Sequence, residues 1–241
     1  MCFTIEVHLT RKAIESRFPV NTSALYDFDF NYFYRAFDNP LIPVISMEDP
    51  TQVELRQWGL IPSWVNHREQ ANQIRKGTYN ARAETLHAKP SFKEPLERGR
   101  CLVIAGGFFE WQWVHGRKIP WYIHLKSGEP FVFAGLCDSW RDSAGGEITK
   151  SFTIVTTAAS PMMERIHNTK LRMPVILRKD REQDWISGDI SLLNRKHLLI
   201  PVDDPSLEAH TVGPNLSSPK SNPADPGIIA PYHYELPGTL F

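Results

Sequence analysis

Cysteine follows the initial methionine in this chain of 241 residues. An internal cysteine offers a thiol alone, because its nitrogen is an amide. Once Met1 is removed, Cys2 offers a thiol and a primary amine on adjacent carbons. The amine attacks an aldehyde to give an imine, and the thiol closes onto the imine carbon as a five-membered thiazolidine. Both groups belong to one residue, so the second step needs no diffusional encounter. An unperturbed α-amine titrates near ~7.7–8.0, which leaves a useful neutral fraction at cellular pH. The thiolate is strongly nucleophilic even as a minor species. The small side chain of Cys2 suits removal of Met1 by a methionine aminopeptidase. Taken alone, the position also reads as a chance second residue buried in a first strand.

Three further segments carry candidate chemistry. In GGFFEWQW at 106–113, Glu110 lies among Phe108, Phe109, Trp111 and Trp113. Burial there raises a carboxyl pKa toward neutrality, where the group both gives and takes protons. The alternative is a solvent-facing Glu on an edge strand. YNARAET at 79–85 sets Asn80, Arg82 and Glu84 at alternate positions, which share a face if the chain is extended. Asn80 can hold a nucleophile by hydrogen bonds, and Arg82 can clamp a phosphate bidentately; standing alone, the segment reads as a surface loop. IHNTKLRMPVIL at 166–177 puts His167 and Arg172 just before a strand. His167 is a candidate proton shuttle near neutral pH, against the commoner structural histidine.

These residues need elements to position them. CFTIEVHL at 2–9 alternates well enough for a strand, and Thr10 caps a helix over 11–18 that ends at Pro19. Residues 21–40 are rich in Phe and Tyr and fit no element. WGLIPSW at 58–64 reads as a turn with aromatic flanks. Ser91 and Glu94 have capping-box spacing, which predicts a helix over 92–98. Strand-like runs follow at 101–105, 107–114, 120–125, 131–136 and 152–157, each short, β-branched or aromatic, and bounded by turn residues. Ser160-Pro161 opens a short helix, MPVIL at 173–177 is another strand, and Asp180 caps the helix after it. The Pro-, Ser- and Asn-rich chain from about 201–205 reads as an irregular surface tail. Strands do not alternate with long helices. The pattern predicts a single α+β domain over 1–241, mostly antiparallel, with partly closed barrel-like sheets flanked by short helices.

Composition narrows the function classes. The 41% hydrophobic and 22% charged fractions are ordinary for a globular protein. Cys2, Cys101 and Cys137 form no CxxC pair, which argues against a zinc or thioredoxin-like site and fits a reducing compartment. Cys101 and Cys137 sit in apolar runs and read as small core hydrophobes. Neither a metal-ligand cluster nor a nucleotide-binding Gly loop is present, so no metal and no cofactor are expected. Glu6, Arg11, Lys12, Glu15 and Arg17 leave no apolar signal region, and no run approaches the ~18 apolar residues of a membrane span. A cytoplasmic protein without a membrane partner is expected. Net charge is zero, but residues 51–100 carry nine Lys and Arg against five Asp and Glu, and residues 151–200 carry eight against five. The basic excess thus coincides with two of the motif-bearing blocks.

The ordered set of segments resembles the SRAP (SOS-response-associated peptidase-like) family. It comprises Met1-Cys2, WGLIPSW at 58–64, NARAET at 80–85, GGFFEW at 106–111, FAGL at 133–136, TTAA at 156–159 and His167 before RMPVIL at 172–177. Each is weak alone; the order and spacing, from residue 1 to about 205, are specific. The resemblance implies an enzyme that senses and shields abasic sites in single-stranded DNA. Cys2 would form a thiazolidine DNA–protein crosslink with the open-chain sugar aldehyde. Asn80 would position the amine and the sugar, Glu110 would move protons, and His167 would assist imine chemistry, its reversal or strand cleavage by β-elimination. Arg82 and Arg172 would bind phosphates. Trp58 and Trp64 would stack on or wedge between bases, against the alternative of core packing. A monomer, associated with the nucleoid when acting, is the implied form. Two departures stand out. Many relatives begin Cys-Gly-Arg, where this chain has Phe3 and Thr4, and four residues separate His167 from Arg172, where many relatives have one or two. An N-terminal-nucleophile autopeptidase and a non-catalytic reader of modified or single-stranded DNA are the competing readings.

Overall fold

The computed structural model describes residues 2–188, 197–202 and 204–235. Its strands are β1 (Thr4–Glu6), β2 (Tyr34–Arg35), β3 (Leu41–Ser46), β4 (Glu54–Trp58), β5 (Asn80–Arg82), β6 (Arg100–Ala105), β7 (Gly107–Val114), β8 (Arg117–Leu125), β9 (Phe131–Trp140), β10 (Thr149–Ala158), β11 (Arg172–Pro174) and β12 (Leu207–Thr211). Its α-helices are α1 (Arg11–Arg17), α2 (Arg68–Arg75), α3 (Pro90–Arg98), α4 (Pro161–Ile166) and α5 (Glu182–Ile186). The expected α+β architecture is present, and the barrel is closed rather than partly closed. Strands β10, β4, β3, β6 and β9 pair in a ring, with β9 returning to β10. All pairings are antiparallel except β4 and β5 on β10.

The period-2 alternation of the barrel strands divides the interior into two cores. Cys101, Val103 and Ala105 of β6 point into one cluster, together with Phe131 and Phe133 of β9 and Phe152 and Ile154 of β10. Leu102, Ile104, Val132, Ala134, Leu136 and Val155 point the other way, onto Ile14 of α1, Phe92 and Leu96 of α3 and Trp185 of α5. Covering both faces explains why β6 is buried throughout and reads as a continuous apolar run. Closure is tight at Gly135 of β9. A Cβ there would lie 2.7 Å from Val103 Cγ2 and 2.8 Å from Cys101 Sγ.

A second sheet, in the order β12-β8-β7-β1-β2, carries Glu110 on β7 and follows directly from Cys2 through β1. Strand β10 changes partners along its length. Its first half pairs with β9 through Ile154, and its end from Thr156 pairs instead with β11. On the other edge, β4 gives way to β5 at Ile154. The outer half of β10 therefore holds Asn80 on one side and Arg172 on the other.

Local signals decided several boundaries. Thr10 Oγ1 accepts from the Ala13 N–H at 3.0 Å and starts α1. Ser160 Oγ accepts from the Met163 N–H at 3.4 Å, with Pro161 in the first turn of α4. Other expectations need correction. The first strand shrinks from 2–9 to Thr4–Glu6. Helix α3 starts at Pro90, so Ser91 lies inside its first turn and caps nothing. Asp180 does not cap α5; it sits in a 3-10 turn, Lys179–Arg181, and takes the Arg178 guanidinium at 3.1 Å. The strand at 173–177 is Arg172–Pro174, followed by a bridge from Ile176 to Phe133. The tail is not irregular throughout, because β12 pairs along β8 and Val212, Leu216 and Ile228 cover Phe109 and Tyr122. Among the described residues, no helix is long and apolar enough to cross a membrane.

Candidate functional site

Cys2 sits just before β1, fully buried, with its Sγ 3.7 Å from the Thr4 carbonyl oxygen. Asn80 opens β5, which is fixed beside β10 by the pairing of Asn80 with Ile154. Its Nδ2 donates to the Cys2 carbonyl oxygen at 2.8 Å. Its Oδ1 is buried and has no hydrogen-bond partner among the described residues. An amide that holds the carbonyl of Cys2 with one end therefore keeps an acceptor at the other. A buried polar atom left this way is costly unless a ligand or moving group completes it.

Glu110 lies in the buried half of β7, paired across to Trp121 of β8. Burial pushes its carboxyl up to about 7, as the flanking aromatics predict. Burial, followed by the charge of Glu110, pushes the Cys2 thiol well above the ordinary range. The thiol thus stays protonated at neutral pH until a base takes its proton. His167 ends α4, its backbone N–H bound to the Met163 carbonyl. Its Nδ1 lies 2.9 Å from the Arg172 carbonyl oxygen and 3.7 Å from Glu110 Oε2. Burial pulls the imidazole down to about 4, so the ring is neutral at pH 7 and its contact with Glu110 is not an ion pair. A proton on Nδ1, donated to the Arg172 carbonyl, leaves Nε2 as the unprotonated ring nitrogen.

Four residues from four distant segments thus meet at one place: Cys2, Asn80, Glu110 and His167. The remaining candidates divide. Arg82 ends β5 with its side chain exposed, and with Lys76 and Lys89 it lines an open pocket of ≈ 570 Å³ that reaches Phe3 and Asn80. Glu84 does not share its face. The chain turns after Arg82, with the Thr85 N–H on the Arg82 carbonyl at 3.0 Å, and Glu84 swings to Arg172. The Arg172 fork holds Glu84 at 2.6 and 3.0 Å and donates to the Thr156 carbonyl at 2.6 Å. With only 12% of its side chain exposed, Arg172 meets a phosphate only by exchanging Glu84 for it.

The tryptophans also separate. Trp58 is fully buried, donates from its indole to the Tyr79 carbonyl at 2.9 Å and packs on Phe152. It has no open face for a base, and its assignment as a DNA contact is corrected to core packing. Trp64 is 44% exposed and lies beside Pro90, Lys93 and Arg98 in a depression that adjoins the Arg82 pocket through Pro90. One neighbour of the site belongs to no motif: Phe37 comes from the stretch at 21–40 that fits no predicted element. Thr156, the first residue of the TTAA run, acts through its carbonyl, which no side-chain pattern records. Among the described residues, no three His, Cys, Asp or Glu side chains are placed to hold a metal ion.

A protein-family comparison matches residues 1–219 to "SOS response associated peptidase (SRAP)". The chain belongs to the SRAP family. Its curated relatives include the abasic site processing protein YoqW of Bacillus subtilis, 40% identical over 69% of this chain and 71% of YoqW. Another is the abasic site processing protein HMCES of Xenopus tropicalis, 32% identical over 69% of this chain and 54% of HMCES; this SRAP chain matches only about half the length of that relative. A crystal structure of a protein from Bacteroides thetaiotaomicron superposes with a TM-score of 0.90 at 34% identity, covering 96% of this chain and all of that one. A Bordetella bronchiseptica protein, at 24% identity and a TM-score of 0.76, shares the fold.

Proposed function

We propose that this SRAP protein processes abasic sites in single-stranded DNA, and that Cys2, freed of Met1, captures the lesion as a thiazolidine crosslink. The observation that carries the reading is the grip of Asn80 on Cys2, with the uncommitted Asn80 Oδ1 beside it and Glu110 within electrostatic reach of the thiol. The names of the curated relatives support the substrate class.

The steps follow from the groups at hand. Asn80 Oδ1 accepts a hydrogen bond from the Cys2 amine and aims its lone pair. The amine adds to the C1 aldehyde of the ring-opened deoxyribose, forming the C–N bond; the carbonyl oxygen takes a proton from Glu110, and the resulting carboxylate takes up the proton that the nitrogen sheds. Loss of water gives the imine. The thiol then adds to the same carbon, forming the C–S bond; the C=N electron pair takes up a proton at nitrogen, and Glu110 relays the thiol proton. One water leaves in all. A carboxyl titrating at about 7 populates both forms needed for these transfers. His167, neutral and with Nε2 free of its proton, serves the reverse reaction or removes a proton from the sugar in β-elimination. Arg82 takes a phosphate next to the lesion, Arg172 does so on exchange with Glu84, and Trp64 stacks on an unpaired base. A monomer acting on nucleoid DNA in the cytoplasm completes the reading.

Incubating the Met1-free protein with an abasic single strand is expected to give a heat-stable adduct, and Cys2→Ala is expected to give none. An unchanged adduct yield in Cys2→Ala sinks the covalent role. Equal affinity for intact and abasic strands, with no adduct, would favour a non-catalytic reader.

A further inference from the structure

The mouth of the site carries an aromatic cluster that the steps above do not use. Phe37 is 61% exposed, although its ring is one of three in mutual contact. Phe3 stacks on it with centroids 4.9 Å apart and 27° between the planes. Tyr79 meets Phe37 edge-on at 5.4 Å and Phe3 edge-on at 6.3 Å. The cluster is held from behind. The Phe3 carbonyl accepts from the Ala36 N–H at 2.8 Å, Asn39 turns the chain in the left-handed region at φ 48°, and the Tyr79 hydroxyl donates to Asn39 Oδ1 at 3.3 Å.

Its place in the chain matters more than its size. Phe3 is the residue after Cys2, and Tyr79 is the residue before Asn80, so adjacent Cα atoms lie about 3.8 Å apart on each side. The same Phe3 and Tyr79 line the pocket that holds Lys76, Arg82 and Lys89, and no carboxylate lines that pocket. A flat apolar surface beside a cationic pocket, one residue from the reacting group, matches a nucleotide: a base for the rings and a phosphate for the cations.

We propose that Phe37 and Phe3 form a stacking platform for the nucleobase that flanks the lesion, with the Lys76–Arg82–Lys89 pocket taking the strand's phosphates. The proposal rests on the abasic-site reading for its ligand. The lesion itself has no base to recognise, so the flanking base is what an aromatic surface at this position can hold. Asp38, next to Phe37, opposes the phosphates and leaves stacking as the main attraction at that edge.

The test is a binding cycle on Met1-free protein with short single strands that carry an unreactive abasic analogue. In one set the flanking nucleotides keep their bases; in the other, each flank is also an abasic analogue. With bases present, Phe37→Ala is expected to weaken binding on the order of 10-fold. With the flanking bases removed, wild type and Phe37→Ala are expected to bind alike. Phe37→Tyr should restore the affinity, because the ring face is kept. Equal affinity of wild type and Phe37→Ala on the base-bearing strands overturns the platform, as does a loss of the same size on both sets. A coupling between ring and base in a protein that forms no adduct would leave the platform standing and the covalent reading refuted.

Discussion

Two buried regions of this molecule treat charge in opposite ways. In the barrel wall, Arg56 is fully buried, yet Glu54 takes its Nε at 2.7 Å, Glu48 its terminal nitrogen at 3.0 Å and the Asp138 carbonyl the other at 3.4 Å. Burial opposes its charge, but Cys137, Glu54 and Cys101 around it more than offset that, and its pKa rises. At the candidate site, Glu110 and His167 are as deeply placed, and burial pushes both toward their neutral forms. A matched charge is fixed and structural. A group held near the point where its charge becomes affordable can exchange a proton at neutral pH. The three cysteines make the same point. All are buried, but only Cys2 combines the Asn80 contact with the neighbourhood of Glu110.

The largest expected effect is at the proton-moving group. Glu110→Gln is expected to slow crosslink formation by about 10²–10⁴-fold and to remove the inflection near pH 7 from the rate profile, read by adduct yield against time. A profile that keeps its inflection would assign the proton transfer elsewhere. Breaking the matched charge should do the reverse. Arg56→Ala removes the buried guanidinium and its hydrogen bonds, leaving Glu54 with Lys150 as its partner, and is expected to cost roughly 1–3 kcal/mol in denaturant unfolding, while the folded fraction keeps its crosslinking rate. A large loss of rate in folded Arg56→Ala would erase the distinction between the two regions.

Glu6 gives the smallest test. Like Glu110 it is a buried carboxyl raised to about 7, but it accepts from the Tyr122 hydroxyl at 3.2 Å and from the His8 N–H. Its folded pKa lies above the unfolded value. The folded state therefore binds the extra proton, and this contribution to stability is full below about pH 4.5 and is lost as pH rises through about 7. Glu6→Gln is expected to raise stability at pH 8 on the order of 1–3 kcal/mol, with little change at pH 4.5 and none in crosslinking. A crosslinking defect would extend the functional region along β1.

Much of the site was legible because it depends on local burial. A Glu between aromatics in a strand covered on both faces is titrated by its neighbours, and the run at 106–113 displays those neighbours. Segment pairing is not displayed. Glu84 and Arg172 meet only because β10 and β11 bring them together, so a phosphate clamp in the sequence is a preformed ion pair in the fold. Trp58 and Trp64 share one motif, but the backbone turns at Gly59 with φ +107°, and one ring enters the core while the other stays out. Strand β3 hides behind Pro43, which usually argues against a strand. It is tolerated because β6 pairs with β3 only from Val44 onward, so the missing N–H faces no ladder. Helix α2 buries only Ala71, too little to mark a periodic stripe.

The central claim is that the amine and the thiol of Cys2 act together. Peptide mapping by mass after reaction with abasic single-stranded DNA tests it most directly. The account predicts attachment on the N-terminal peptide at Cys2, with the mass of the sugar remnant less one water, and no attachment when the Cys2 amine is still bonded to Met1. Attachment at Cys101, at Cys137 or at a lysine, or an equal yield from the chain that retains Met1, would contradict it.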